Sequence, residues 1–315
     1  LNPILIENRF RHLGYAGLIE LSGQSSRPRR KESPVKSALT FLVPIAASTI
    51  FSIVFTFLTT GVYVPQLNFL PGSEGGIAAD AINAIIISTL PIIGALVILL
   101  ILRKRSNLIL KIFVGTAFLI AGFAIFTIIL VSPVQTILIG IQGDLAFVIA
   151  MILSFALNTV LIYVVLRERV PQKAKNVAAV IYGGGIGTLL GITLALWTGL
   201  LAVALISAYD IYSVRSGPLR KIVKVSQEEQ VSLPGLSYVS RDWEIGLGDL
   251  GIYSMLVSLA LIQFNLIACI ASMIGIMIGS LLTLHLLKKR ELLPGLPITT
   301  LLGAIPIVIF MIFYH

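Results

Sequence analysis

The sequence predicts an all-α polytopic membrane protein with nine transmembrane helices, N-terminus cytoplasmic and C-terminus outside, and three observations carry that prediction. Of the 315 residues, 57% are hydrophobic and 12% charged, with a mean hydropathy of +1.00, so too little polar surface exists to cover a water-soluble core. The apolar residues gather into nine runs, each near the ~20 residues that a bilayer requires. With nine spans and the N-terminus inside, all 23 Lys and Arg residues fall on cytoplasmic segments, while the outside loops hold Glu74, Asp80 and Asp144 and no basic residue. One span more or fewer destroys that sorting.

In chain order, residues 1–37 form a basic cytoplasmic tail. It carries Leu5, Phe10, Leu13, Tyr15 and Leu18 at loosely helical spacing and then Arg27-Pro28-Arg29-Arg30-Lys31. Two readings stand, an interfacial helix with an electrostatic lipid anchor and a solvated tail with a positive-inside signal. The tail lacks the apolar core and cleavage site of a signal peptide, and a chain opening on Leu1 points to an altered or missing start. The spans are placed at about Ala38 to Thr60, Ala81 to Leu102, Leu108 to Val131, Leu145 to Leu166, Asn176 to Leu194, Ala195 to Ser213, Glu244 to Gln263, Leu266 to Leu287 and Ile298 to Tyr314. The fifth and sixth are divided because 176–213 is too long for one span and is interrupted by glycines from Gly183 to Gly199. The working division is 1–37 tail, 38–194 helices one to five, and 195–315 a unit of helices six to nine.

Several chemistries are disfavoured. Cys269 is the single cysteine and lies in an apolar run, so it forms no disulfide within the chain and is read as packing. His12, His285 and His315 show no metal-ligand spacing, so no metal site is expected. A Ser–His hydrolase is also poorly supported, since His285 alone of the three sits in a span. The net charge of +9 is read as topology and attraction to anionic lipid at the cytoplasmic face, and not as a nucleic-acid surface.

What remains are two acids inside apolar spans: Asp210 in Tyr209-Asp210-Ile211 and Asp249 in Gly246-Leu247-Gly248-Asp249. A carboxylate in a membrane span is expensive and marks a functional site with a partner to be found. The sixth span runs inward and the seventh outward, which places both acids about five residues inside the cytoplasmic boundary, roughly 7 to 8 Å deep. Two carboxylates meeting in a low-dielectric site titrate as a unit and hold one proton between them. That is the arrangement with which an aspartic protease activates water and polarises a peptide carbonyl, with no metal or cofactor.

Gly246 and Gly248 let a substrate backbone or a neighbouring helix approach Asp249; taken alone, Gly-x-Gly-Asp is a weak signal that close helix packing also explains. Pro294-Gly295-Leu296-Pro297, directly after Lys288-Lys289-Arg290, is read either as a helix-start loop or as extended backbone with free carbonyls lining the cleft. Tyr209 and Tyr253 are read either as carboxylate-positioning groups or as ordinary interfacial tyrosines.

Together, Tyr209-Asp210, Gly246-Leu247-Gly248-Asp249 and Pro294-Gly295-Leu296-Pro297 resemble the Tyr-Asp, Gly-x-Gly-Asp and Pro-Ala-Leu motifs of the presenilin and signal peptide peptidase family of intramembrane aspartyl proteases. The resemblance covers the last four spans in detail and the whole chain in span count, with Gly295 standing where the family has Ala. It implies Asp210 and Asp249 as the catalytic dyad and 294–296 as a substrate-contacting motif. The N-in orientation resembles presenilin, and the short connector of about 214–243 resembles a prokaryotic, archaeal single-chain homologue without the long, self-cleaved insertion.

The expected activity is hydrolysis of peptide bonds in or near transmembrane segments of single-span membrane proteins, in the cell membrane; a homo-oligomer is left open. Two alternatives remain, a Gly-x-Gly-Asp leader peptidase and a proton-coupled transporter. The transporter is weakened by the lack of two-fold internal repetition, and a non-catalytic membrane chaperone is disfavoured because both acids are present. Within the connector, 230–239 is β-prone around Pro234-Gly235; it is read either as a strand that pairs with an unwound substrate or as a solvated charged link.

Overall fold

The computed structural model describes residues 34–59, 64–67, 69, 76–103, 107–137, 143–167, 169–216, 237–240, 243–287 and 295–313. Residues 1–33 of the tail and most of the 214–243 connector lie outside them. In chain order the elements are α1 Pro34–Leu58, α2 Gly76–Arg103, α3 Asn107–Ile137, α4 Gly143–Leu166, α5 Gln172–Thr193, α6 Leu196–Ser216, β1 Ser237–Val239, β2 Glu244–Gly246, α7 Leu247–Gln263, α8 Leu266–Leu287 and α9 Leu296–Phe313. Each predicted run forms a helix. Eight of these are long and apolar enough to cross a bilayer, while α7 is apolar but only 17 residues long. The chain is a multi-pass membrane protein.

The divided run is two helices: α5 ends at Thr193, Leu194 is extended (φ −91°, ψ 137°), and α6 begins at Leu196. The seventh run departs from expectation at its start. Residues 244–246 are not helical but pair antiparallel with β1, Tyr238 opposite Ile245 and Val239 opposite Glu244. The Ser240 N–H donates to the Trp243 carbonyl at the head of this hairpin. Side-chain alternation then sends Tyr238, Trp243 and Ile245 to one face. Trp243 and Ile245 are buried, the Trp243 ring stacks on Tyr238 at 5.6 Å, and it meets Phe41 of α1 edge-on at 5.3 Å. The side chain of Asn176, in the first turn of α5, closes the outer edge of β1. It donates to the Val239 carbonyl (2.7 Å) and accepts from the Val239 N–H (3.0 Å).

α7 lies at the centre of the bundle, with ten of its residues buried, packed most extensively on α5 and also on α1, α8 and α9. Glycines at four-residue spacing make the α5 contact possible. A Cβ at Gly183 would lie 2.7 Å from Leu250 Cβ, and one at Gly191 2.6 Å from Ser258 Cβ. Lipid supplies no hydrophobic drive between helices, so close backbone approach and hydroxyl bonds do that work. Ser52 donates to the Ser254 carbonyl (2.9 Å), Thr56 pairs with Ser258 (2.7 Å), and Thr188 donates to Ser52 (3.0 Å). At the end of the bundle opposite the acids, Thr198 of α6 donates to the Asp80 carboxylate (2.6 Å) and the Leu67 N–H donates to the Thr193 carbonyl (2.8 Å).

Candidate active site

Asp249 is the third residue of α7, two after Leu247, with Gly246 as N-cap. Its carboxylate lies within electrostatic reach of the Gly246 N–H and at the positive end of the helix dipole. The shortened helix puts Asp249 on its first turn. Asp210 lies six residues before the end of α6, about 9 Å along the axis. It reaches a different helix: the Leu296 N–H at the start of α9 donates to Asp210 Oδ2 at 3.2 Å, and the Gly295 N–H lies within electrostatic reach of the same carboxylate. Each acid thus occupies a helix N-terminus, where unpaired N–H groups favour an anion. Both are half-buried, and they lie within electrostatic reach of each other.

The two motif glycines are not packing residues. A Cβ on Gly246 would meet only the Asp249 carboxylate, at 3.7 to 4.0 Å, and one on Gly248 nothing within 4 Å. Gly248 is exposed, so bare backbone lies open beside the acid. Leu247 turns away and packs on the core formed by α3, α4 and α5. Pro294 lies outside the described residues, whereas Gly295, Leu296 and Pro297 form the start of α9 against Asp210, with Leu296 and Gly295 buried. Pro297 lacks an N–H of its own.

The two tyrosines differ. Tyr253, one turn after Asp249, is buried, lies within electrostatic reach of both acids, and has the Thr299 side chain of α9 in hydrogen-bonding reach. The Tyr209 hydroxyl is buried with no hydrogen-bond partner among the described residues, so it positions neither carboxylate here. Sequence reasoning missed Ser207, Thr299 and Thr300. The Ser207 and Thr300 hydroxyls meet at 2.8 Å, joining α6 to α9 one turn from Asp210. The available signal was Ser207 three residues before Asp210 and a pair of threonines inside the first turn of an otherwise apolar helix.

At the mouth of the site, Glu244 of β2 is half-buried and accepts a hydrogen bond from the Ser237 hydroxyl.

No protein-family model matches the chain. It is 34% identical over 116 residues to Presenilin-B of Dictyostelium discoideum, covering 34% of this chain and 24% of that one. Two solved structures of a presenilin family intramembrane aspartate protease superpose on it with 18% identity. In the C222 crystal form the TM-score is 0.58 over 88% of this chain and 99% of that one. In the P2 form it is 0.59 over 90% and 100%. The chain has the presenilin-family fold. The chain spans about a quarter of the length of the curated relative it matches. The fold likeness extends over most of the chain.

Proposed function

We propose that the protein is an intramembrane aspartyl protease whose dyad is Asp210 and Asp249. The observation that carries the proposal is the meeting of three separate segments. The start of α9 holds Asp210 through the Leu296 N–H, Asp249 lies in reach of that acid, and Gly248 leaves the approach open. The pair holds one proton. The ionised carboxylate takes a proton from water as its oxygen bonds the carbonyl carbon, while the protonated carboxyl bonds the carbonyl oxygen. The carbonyl oxygen takes that carboxyl's proton to give the diol; its collapse breaks the C–N bond as the leaving nitrogen takes the proton gained from water, and a diol hydroxyl returns its proton to the pair.

The substrates in this reading are transmembrane segments of single-span membrane proteins, entering from lipid, with water reaching the acids from the cytoplasmic face. Nine spans with the N-terminus inside are supported by the placement of all 23 basic residues, and α7 counts as a span because strand β2 carries the chain on beyond its short helix. Anionic lipid is attracted to that basic face. The glycines of the Gly-x-Gly-Asp motif, Tyr209 and residues 294–297 belong to the site, the last as the segment that meets substrate. A helical substrate hides its peptide bonds, so it must unwind, and the hairpin offers backbone for an added strand. Asn176 already occupies the outer edge of β1 at Val239, which leaves the outer edge of β2 for that role.

The test is cleavage of a single-span test substrate by purified protein in detergent, comparing wild type with Asp210→Ala and Asp249→Ala at equal folded yield. The expected outcome is cutting within the span by wild type and none by either variant. Equal inertness of all three across several substrates and pH values overturns the proposal, and so does cutting that survives either substitution.

A further inference from the structure

The helices that carry the two acids, α6 and α7, pack sparingly on each other, whereas α9 packs on both. The position of Asp210 relative to Asp249 is therefore set through α9. One bond, from the Leu296 N–H to Asp210, leaves the carboxylate free to swing with α6. A second bond runs beside it. Ser207 lies one turn before Asp210 on the same face of α6, and Thr300 lies one turn after Leu296 on α9; their hydroxyls are 2.8 Å apart. Thr300 donates its own proton to the Leu296 carbonyl at 2.8 Å, so Ser207 is the donor across the interface. Thr300 is buried and Ser207 half-buried, where a hydroxyl left without its partner is costly.

We propose that the Ser207–Thr300 hydroxyl bridge is a positioning device for Asp210: it fixes the register of α6 along the first turn of α9, so that the Leu296 N–H holds the carboxylate where it faces Asp249. Asp210, Leu296, Thr300 and Ser207 form a closed ring of contacts spanning two antiparallel helices. Neither hydroxyl touches the reacting atoms. The inference rests on the protease reading above and adds to it two residues that no motif marks. A misplaced catalytic group lowers the rate of the chemical step while leaving binding of the rest of the substrate intact.

The test uses the full chain in detergent with the single-span test substrate, following kcat, KM, the pH profile and the thermal unfolding midpoint. The variants are Ser207→Ala, Thr300→Val, Thr300→Ser and the double Ser207→Ala/Thr300→Val. Loss of one buried hydrogen bond predicts kcat lower by roughly 3- to 10-fold in Ser207→Ala and Thr300→Val, with KM within about 2-fold of wild type. The double variant is expected to be no worse than the poorer single one, because both remove the same bond. Thr300→Ser keeps the hydroxyl and restores kcat, and the limbs of the pH profile move in the Ala and Val variants but not in the Ser variant.

Losses that multiply in the double variant, a change confined to KM, or a Thr300→Ser variant as poor as Thr300→Val would each overturn the proposal. Should Thr300→Val fail to fold, Ser207→Ala decides alone, and full kcat with an unmoved pH profile overturns it. An inert wild type, with Asp249→Ala run beside it, instead removes the protease reading on which the proposal rests.

Discussion

A Cβ built on Gly248 meets no atom within 4 Å, whereas one on Gly187 lies 2.7 Å from the Met255 amide nitrogen. The two glycines therefore serve different ends. Gly248→Ala is expected to leave the thermal unfolding midpoint unchanged or raised, since Ala gains up to about 1 kcal/mol over Gly in a helix. Its cleavage is expected to fall on the order of 10- to 100-fold as the methyl displaces substrate from Asp249. Unchanged cleavage in a folded Gly248→Ala protein removes the role given to that open backbone.

Between elements, the α5–α7 seam shows how glycine spacing becomes architecture. Gly183, Gly187 and Gly191 recur every four residues, so they share one face of α5, and α7 presents Leu250, Met255 and Ser258 to them. Gly187→Ala forces a methyl against α7 backbone that has no rotamer to yield, a predicted loss of about 1 to 3 kcal/mol. Thermal unfolding in detergent checks it, and a midpoint equal to that of wild type would show that the seam relaxes. The extended start of α7 is also settled at this scale. By composition Glu244-Ile245-Gly246 continues an apolar run, but Tyr238 and Trp243 stack and β1 supplies backbone partners, so the segment pairs as a strand. Periodicity along one segment carries no trace of a partner strand on another.

For the whole molecule, charge sorting and packing agree. Asp80, expected outside, meets Thr198 at the end of the bundle opposite Asp210 and Asp249, as alternating spans require. The proposed N-in orientation predicts that, in a Cys269→Ala background, Gln66→Cys is labelled by an impermeant thiol reagent from outside intact cells and Arg169→Cys only after permeabilisation. The reverse pattern would invert the topology. The nine helices among the described residues, their order and the two acids were legible in the sequence, because hydropathy and the cost of a carboxylate in lipid act residue by residue along the chain. The presenilin-like motifs were legible because short spacings survive without knowledge of packing. Only the tertiary structure decided that Asp210 is held by the N–H of Leu296, that Ser207 and Thr300 join α6 to α9, and that Gly248 is open while Gly187 is filled. The physical reason is that hydrogen bonds and steric contacts between residues some 90 positions apart depend on helix register, and nothing local in the chain encodes the distance between two helices.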